Sequence, residues 1–170
     1  TYIPIYRQFI MRLKAGLQLL DETSQKEIRQ FVAVSQHENG GFKDRGNQVD
    51  LYYSLFGYWL ASALGLNVKL DKLKEFTITQ KEQSNPVDRF SLMLIQQGLL
   101  NRQEGKINFF RQLVKKEYPV NFSYQLFLFL LVFDARYGRK KWMNWIVRIF
   151  LSLYRPSEDS PSSLFAALLV

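Results

Sequence analysis

Hydrophobic periodicity constrains this chain more than any other feature. Segments that are apolar on one side alternate along it with segments that are apolar nearly all round. Ser24 to Ser35, Asp71 to Ile78, Gly105 to Glu117 and Arg139 to Leu153 are of the first kind. Ile28, Phe31 and Val32 mark the stripe in the first of them, Leu73 and Phe76 in the second, and Ile107, Phe110, Leu113 and Val114 in the third. In the fourth, Trp142, Trp145, Ile146 and Ile149 recur at helical spacing. Each predicts a helix with one wet face. Ser24-Gln25-Lys26-Glu27 has the form of a capping box at the first helix's start.

The second kind is predicted to form helices surrounded by other helices. Asp50 to Leu64 reads DLYYSLFGYWLASAL and stops at Gly65; Pro86 to Leu100 follows Asn85; Phe122 to Tyr137 stops at Gly138; Ser162 to Val170 begins a fourth. These dry helices repeat in sequence. Ser54-Leu55-Phe56, Ser91-Leu92-Met93, Phe127-Leu128-Phe129 and Ser163-Leu164-Phe165 follow one another at steps of 37, 36 and 36 residues. A period near 36 residues predicts helix-pair repeats, each burying an inner helix beside an outer one. Ile5 to Leu20 reads as an unpaired helix that starts or caps the array. No apolar/polar alternation of the strand kind is sustained anywhere, so the fold class is all-α.

Composition narrows the chemistry. A hydrophobic content of 47% in 170 residues predicts one folded domain over 1–170. The absence of cysteine excludes disulfides, thiolate zinc ligands and a cysteine nucleophile. The longest apolar run, Leu126 to Phe133, has eight residues, whereas a spanning helix needs about 20. With no basic-then-apolar leader at Thr1, the expected location is cytoplasmic. Asn121-Phe122-Ser123 fits a glycosylation sequon that nothing else in the chain supports. Net charge is +8, which permits an anionic partner: a diphosphate, a membrane surface or nucleic acid. Lys115-Lys116 and Arg139-Lys140-Lys141, with Trp142 and Trp145 close by, suit peripheral contact with anionic lipid. They equally suit a solvated outer helix. Aromatics interleave with leucine rather than with Lys or Arg, which disfavours nucleic acid.

Between the first wet and dry helices lies Gln36-His37-Glu38-Asn39-Gly40-Gly41-Phe42, and Asp50 opens the dry helix. Gly40 and Gly41 permit a reversal at positive φ, Phe42 can anchor the turn, and Gln36 can bond backbone groups. This loop resembles the Q-x-x-x-G-x-W/F loop of terpenoid cyclases and the G-G-F turn of protein prenyltransferase β subunits. The later junctions depart from it. Gln80 to Asn85 and Lys115 to Val120 contain no glycine, and Arg155 to Pro161 is the nearest degenerate copy. The resemblance implies helix-pair repeats forming an open arc of an α/α toroid, since about six repeats close such a ring. The mid-pattern ending at LFAALLV points to further repeats beyond Val170.

Catalytic members of those families use acidic clusters or a zinc site of Asp, Cys and His. Here no two aspartates stand two residues apart, no D-D-x-x-D occurs, and His37 is the single histidine. No catalytic residue, metal ligand or cofactor is therefore expected. The candidate substrate-binding residues are Tyr52, Tyr53, Phe56 and Trp59, joined by Tyr124, Phe127 and Phe133 on another dry helix. Aromatic walls of this kind suit a polyprenyl chain or its carbocation; ordinary inter-helix core is the alternative. Two readings follow: an isoprenoid-binding protein of the cyclase or prenyltransferase kind without a complete catalytic site, or a non-catalytic scaffold for a protein partner.

Overall fold

A computed structural model describes residues 2–81, 83–103 and 122–153. Seven helices account for most of them: α1 (Ile5–Gln18), α2 (Glu22–Ser35), α3 (Leu51–Leu64), α4 (Asn67–Thr79), α5 (Pro86–Leu100), α6 (Phe122–Tyr137) and α7 (Lys141–Leu153). Among the described residues extended pairing is confined to two isolated bridges, Gln36 with Phe42 and Lys43 with Val49. The expected helices at 105–117 and 162–170, the Lys115-Lys116 pair and the Arg155–Pro161 turn lie outside the described residues.

The dry helices begin and end where their punctuation puts them. Asp50 caps α3 by accepting from the Tyr53 N–H at 2.8 Å, and Gly65 ends it at φ 68°. Asn85 caps α5 by accepting from the Val87 N–H at 2.9 Å, with Pro86 in the first turn. Gly138, at φ 72°, follows the end of α6. The repeat register reappears as burial. Ser54, Ser91 and Phe127, at corresponding places in α3, α5 and α6, are all fully buried.

Those three helices run side by side in one direction. α5 packs on both α3 and α6. At their N-terminal ends the Tyr52 and Tyr124 rings are 5.5 Å apart, edge to face. Towards the other end, Gln97 Nε2 of α5 donates to the Ala135 carbonyl of α6 at 2.9 Å. The wet helix α4 lies against α3 and α5 and buries Leu73 and Phe76, the two residues its stripe predicts. α2 lies against α3. A Cβ at Gly98 of α5 would stand 2.1 Å from the Tyr58 hydroxyl of α3, so glycine sets how closely this pair approaches. Burial, and then the neighbouring Tyr6, push the Tyr58 phenol up to about 12.

Three expectations are corrected. First, α2 begins before Ser24: Asp21 is its cap, accepting from the Ser24 N–H at 2.9 Å and the Ser24 hydroxyl at 2.7 Å. An acid one turn earlier outcompetes the box, and Phe31 of the predicted stripe is 62% exposed while Val32 is buried. Second, α1 does not stand at the end of the array. It packs on both α3 and α6, so that α1, α3, α5 and α6 each touch the next around a ring of four. Third, α7 buries Met143, Val147 and Phe150, and turns Trp142, Trp145 and Ile149 outward. The helix is apolar on two faces, and periodicity alone cannot say which one meets the core.

Candidate functional site

The loop from Gln36 to Asp50 is held by hydrogen bonds within itself and to α3 and α4. Gln36 Nε2 donates to the Gly40 carbonyl within the loop and to the Lys69 carbonyl of α4, each at 2.9 Å. Asn39 Oδ1 accepts from the Gly41 N–H at 3.0 Å. His37, exposed at the turn, accepts from the Asn39 N–H through Nδ1 at 3.2 Å, a loop-shaping role. Phe42 then enters the core, and its N–H donates to Ser54 Oγ at 2.8 Å. The Ser54 hydroxyl donates in turn to the Asp50 carbonyl at 2.7 Å, joining the loop to the first turn of α3.

Two glycines are crowded here for different reasons. Gly40 has φ +97°, and a Cβ there would lie 2.1 Å from the Lys72 carbonyl of α4. Gly41 needs no positive φ, contrary to expectation. Its Cβ would instead meet Val49 at 2.5 Å and the Phe76 ring at 2.9 Å. The Phe42 ring completes the dock by lying on Gly57 of α3, where a Cβ would come within 2.4 Å of it. Gln36, Gly40, Gly41, Phe42 and Asp50 thus meet at one junction of α2, α3 and α4.

Ser91 occupies in α5 the place of Ser54 in α3, but no comparable loop precedes it. Its hydroxyl is fully buried and has no hydrogen-bond partner. Opposite responses are expected from the two serines. Ser54→Ala leaves the buried Phe42 N–H unsatisfied and should cost about 2 kcal/mol. Ser91→Ala removes an orphan and should change stability by less than about 0.5 kcal/mol or raise it. Urea denaturation of both variants checks this, and equal losses would refute the assignment.

The candidate aromatic residues form a ladder along α3. Tyr52 meets Tyr53 at 6.4 Å and Phe56 at 4.9 Å, and Phe56 meets Trp59 at 5.2 Å, all edge to face. Phe9 of α1 caps the ladder at Trp59, 5.9 Å away. Trp59 is buried and its Nε1 is without a hydrogen-bond partner. Tyr52 and Phe56 are half-buried, Tyr53 is exposed, and burial holds the Tyr52 phenol above its ordinary value. Tyr124 joins this group, whereas Phe127 is wholly buried and Phe133 belongs to a second cluster with Phe129, Tyr137 and Trp142.

A cleft of about 370 Å³ opens elsewhere, at the N-terminal ends of α3 and α5. Asn39 and Val49 of the loop, Asp50, Phe76 of α4, Gln80 just after it, Gln83 and Asp88 are among its walls. None of Tyr52, Tyr53, Phe56 or Trp59 lines it. Burial first, and then the neighbouring Asp50 carboxylate, hold Asp88 above the usual carboxylate range. Sequence reading missed Asp88, although the Asn85-Pro86 start places it in the first turn of α5. It also missed Asp134, the lone charge closing the apolar run of α6. Among the described residues no group of three His, Cys, Asp or Glu is placed to hold a metal ion. No described helix is long and apolar enough to cross a membrane. Compared with known proteins, the chain matches no family model, no curated protein and no solved structure.

Proposed function

We propose that this chain is a non-catalytic helical-repeat scaffold that recognises a protein partner, its helix pairs forming an arc of the α/α-toroid kind whose inner helices α3, α5 and α6 are closed into a ring by α1. The observation that carries this reading is the use made of the inner face. α1 lies across it, with Phe9 set against Trp59, where a polyprenyl chain would need an apolar cavity. The cleft beside the loop is polar instead, with Asp50 and Asp88 facing Asn39, Gln80 and Gln83, a lining suited to side chains rather than to a hydrocarbon.

A photo-crosslinking residue at Gln83 of the intact chain should capture a discrete protein in cells. Asp88→Asn should weaken that capture while leaving the fold intact. The variant carries its own check on folding. A carboxyl whose pKa is raised in the folded state loses stability as pH rises from the ordinary carboxylate value through the raised one. Asp88→Asn should lack that decline.

The isoprenoid reading survives on one specific observation, the half-exposed row of Tyr52, Tyr53 and Phe56 beside Tyr124. Calorimetric titration with farnesyl and geranylgeranyl diphosphate, with and without magnesium, distinguishes the two. Saturable binding weakened by Trp59→Ala would overturn the scaffold reading in favour of isoprenoid binding. Silence with both ligands is the expected result.

A further inference from the structure

We infer that α7 docks the protein on an anionic lipid surface. The inference starts from which face of the helix is left outside. Met143, Val147 and Phe150 point into the core. On the side turned away, Trp142 is 39% exposed, Trp145 65%, Ile149 39% and Leu153 72%. Their spacing of three, four and four residues makes one continuous stripe along the helix. Tyr137 at the end of α6, 56% exposed, meets the same Phe133 ring as Trp142, at 4.8 Å. A solvated outer helix carries polar groups at such positions; a tryptophan, an isoleucine and a leucine on successive outward turns form an apolar patch that water does not favour.

Charge says what covers it. Between Asp134, which is buried, and Leu153 there is no acidic residue, while Arg136, Arg139, Lys140, Lys141 and Arg148 all lie in that span. Lys141 and Arg148, seven residues apart, stand on one flank of the apolar stripe and are exposed. Lys140 is exposed just before the helix begins. A protein patch of matching polarity is less suited, because the cations gather at one flank and one end of the stripe instead of being spread through it. Indole and phenol rings between hydrocarbon and water, with lysine and arginine beside them, are the composition of a helix lying in the plane of a bilayer interface. Anionic headgroups supply the complementary charge, each nearby Lys or Arg strengthening the contact. Trp142 is also firmly set. The Phe133 ring braces Trp142 edge-on at 5.1 Å, and Arg139 donates through Nε and an Nη to Asn144 Oδ1 at 3.0 and 2.8 Å, fixing the start of the helix. This inference is independent of the scaffold reading, since it uses none of the residues of the loop or its cleft.

The test is co-sedimentation of the full chain with vesicles of phosphatidylcholine alone and of phosphatidylcholine with phosphatidylserine. Binding to the anionic vesicles should be strong at low salt, should weaken as salt rises, and should be accompanied by a blue shift of tryptophan emission. Trp145→Ser with Leu153→Ser, both on the surface, should reduce partition roughly tenfold or more without changing the melting temperature. Lys141→Glu with Arg148→Glu should do the same. Lys14→Glu with Lys26→Glu, which changes net charge equally from exposed positions on α1 and α2, should have a much smaller effect. Equal binding to neutral vesicles, no binding to either, or equal losses from the two charge-reversed pairs would overturn the inference. So would light scattering that shows the wild type to be a dimer broken by Trp145→Ser, since the stripe would then be covered by a second copy.

Discussion

Gly40→Ala is expected to lower the free energy of unfolding by about 3–4 kcal/mol, a loss at the upper end for one methyl group. Two costs combine. At φ +97° an alanine is strained by about 1–3 kcal/mol, because the Cβ crowds its own backbone. The same Cβ would stand 2.1 Å from the Lys72 carbonyl, and helical backbone cannot swing aside as a side chain can. The loop must therefore lift from α4. Lifting breaks the bond from Gln36 Nε2 to the Lys69 carbonyl, worth about 1 kcal/mol, and loosens the seat of Phe42 on Gly57. Gly46 is the control within the same loop. Its nearest neighbour would be the movable Asp44 carboxylate at 3.2 Å, and its φ is ordinary. Gly46→Ala should shift stability by less than about 0.5 kcal/mol. Chemical denaturation of the pair decides the matter, and a Gly40→Ala variant that melts with the wild type would refute the account of the loop.

The same loop shows what could be read in the sequence and what could not. Backbone demands are local, so they were legible: Asn85-Pro86 starts a helix, Gly65 and Gly138 stop two, and Gln36 through Gly41 supplies the turn's internal side-chain bonds. The wet or dry character of α3 to α6 was legible for a similar reason, since it needs only the residues of each segment. Contacts between segments distant in the chain were not. Periodicity marked α1 as a helix but gave no sign that it closes the ring against α6. It placed Trp142 and Trp145 on a stripe without revealing that Met143, Val147 and Phe150 would win the core. Gly41 was expected to supply a positive φ and supplies room for Val49 and Phe76. Only coordinates distinguish a glycine needed for its dihedral from one needed for its size. The cleft was hidden for the same reason, because Asp50 and Asp88 meet only once α3 and α5 lie side by side.

Asp134→Ala should release α1 and cost about 3 kcal/mol. The carboxylate is 1% exposed and serves the first turn of a helix nearly the whole described chain away. Its Oδ2 accepts from the Ile5 N–H at 2.7 Å, and its Oδ1 accepts from the Tyr2 hydroxyl. Burial, and then this bond to Asp134, raise the Tyr2 phenol above its ordinary value, so the donor keeps its proton at any physiological pH. A carboxylate at a helix N-terminus gains from the unsatisfied N–H groups there, up to about 2 kcal/mol when partly buried, and its hydrogen bonds are charge-assisted. Removing it strands the Ile5 N–H in the interior, where an unpaired donor costs about 1–3 kcal/mol. Tyr2→Phe loses one bond at the periphery and should cost only about 1 kcal/mol. The loss should also be local. Hydrogen exchange in α1 should accelerate in Asp134→Ala while the amides of α3 and α5 stay protected, because their packing on each other does not pass through α1. As α1 loosens, Phe9 leaves Trp59 and the aromatic ladder opens, so near-ultraviolet dichroism should fall while far-ultraviolet helicity holds. If α1 exchanges no faster in the variant than in the wild type, Asp134 is not what holds the ring closed, and the packing of Ile5 and Tyr6 against the core must suffice.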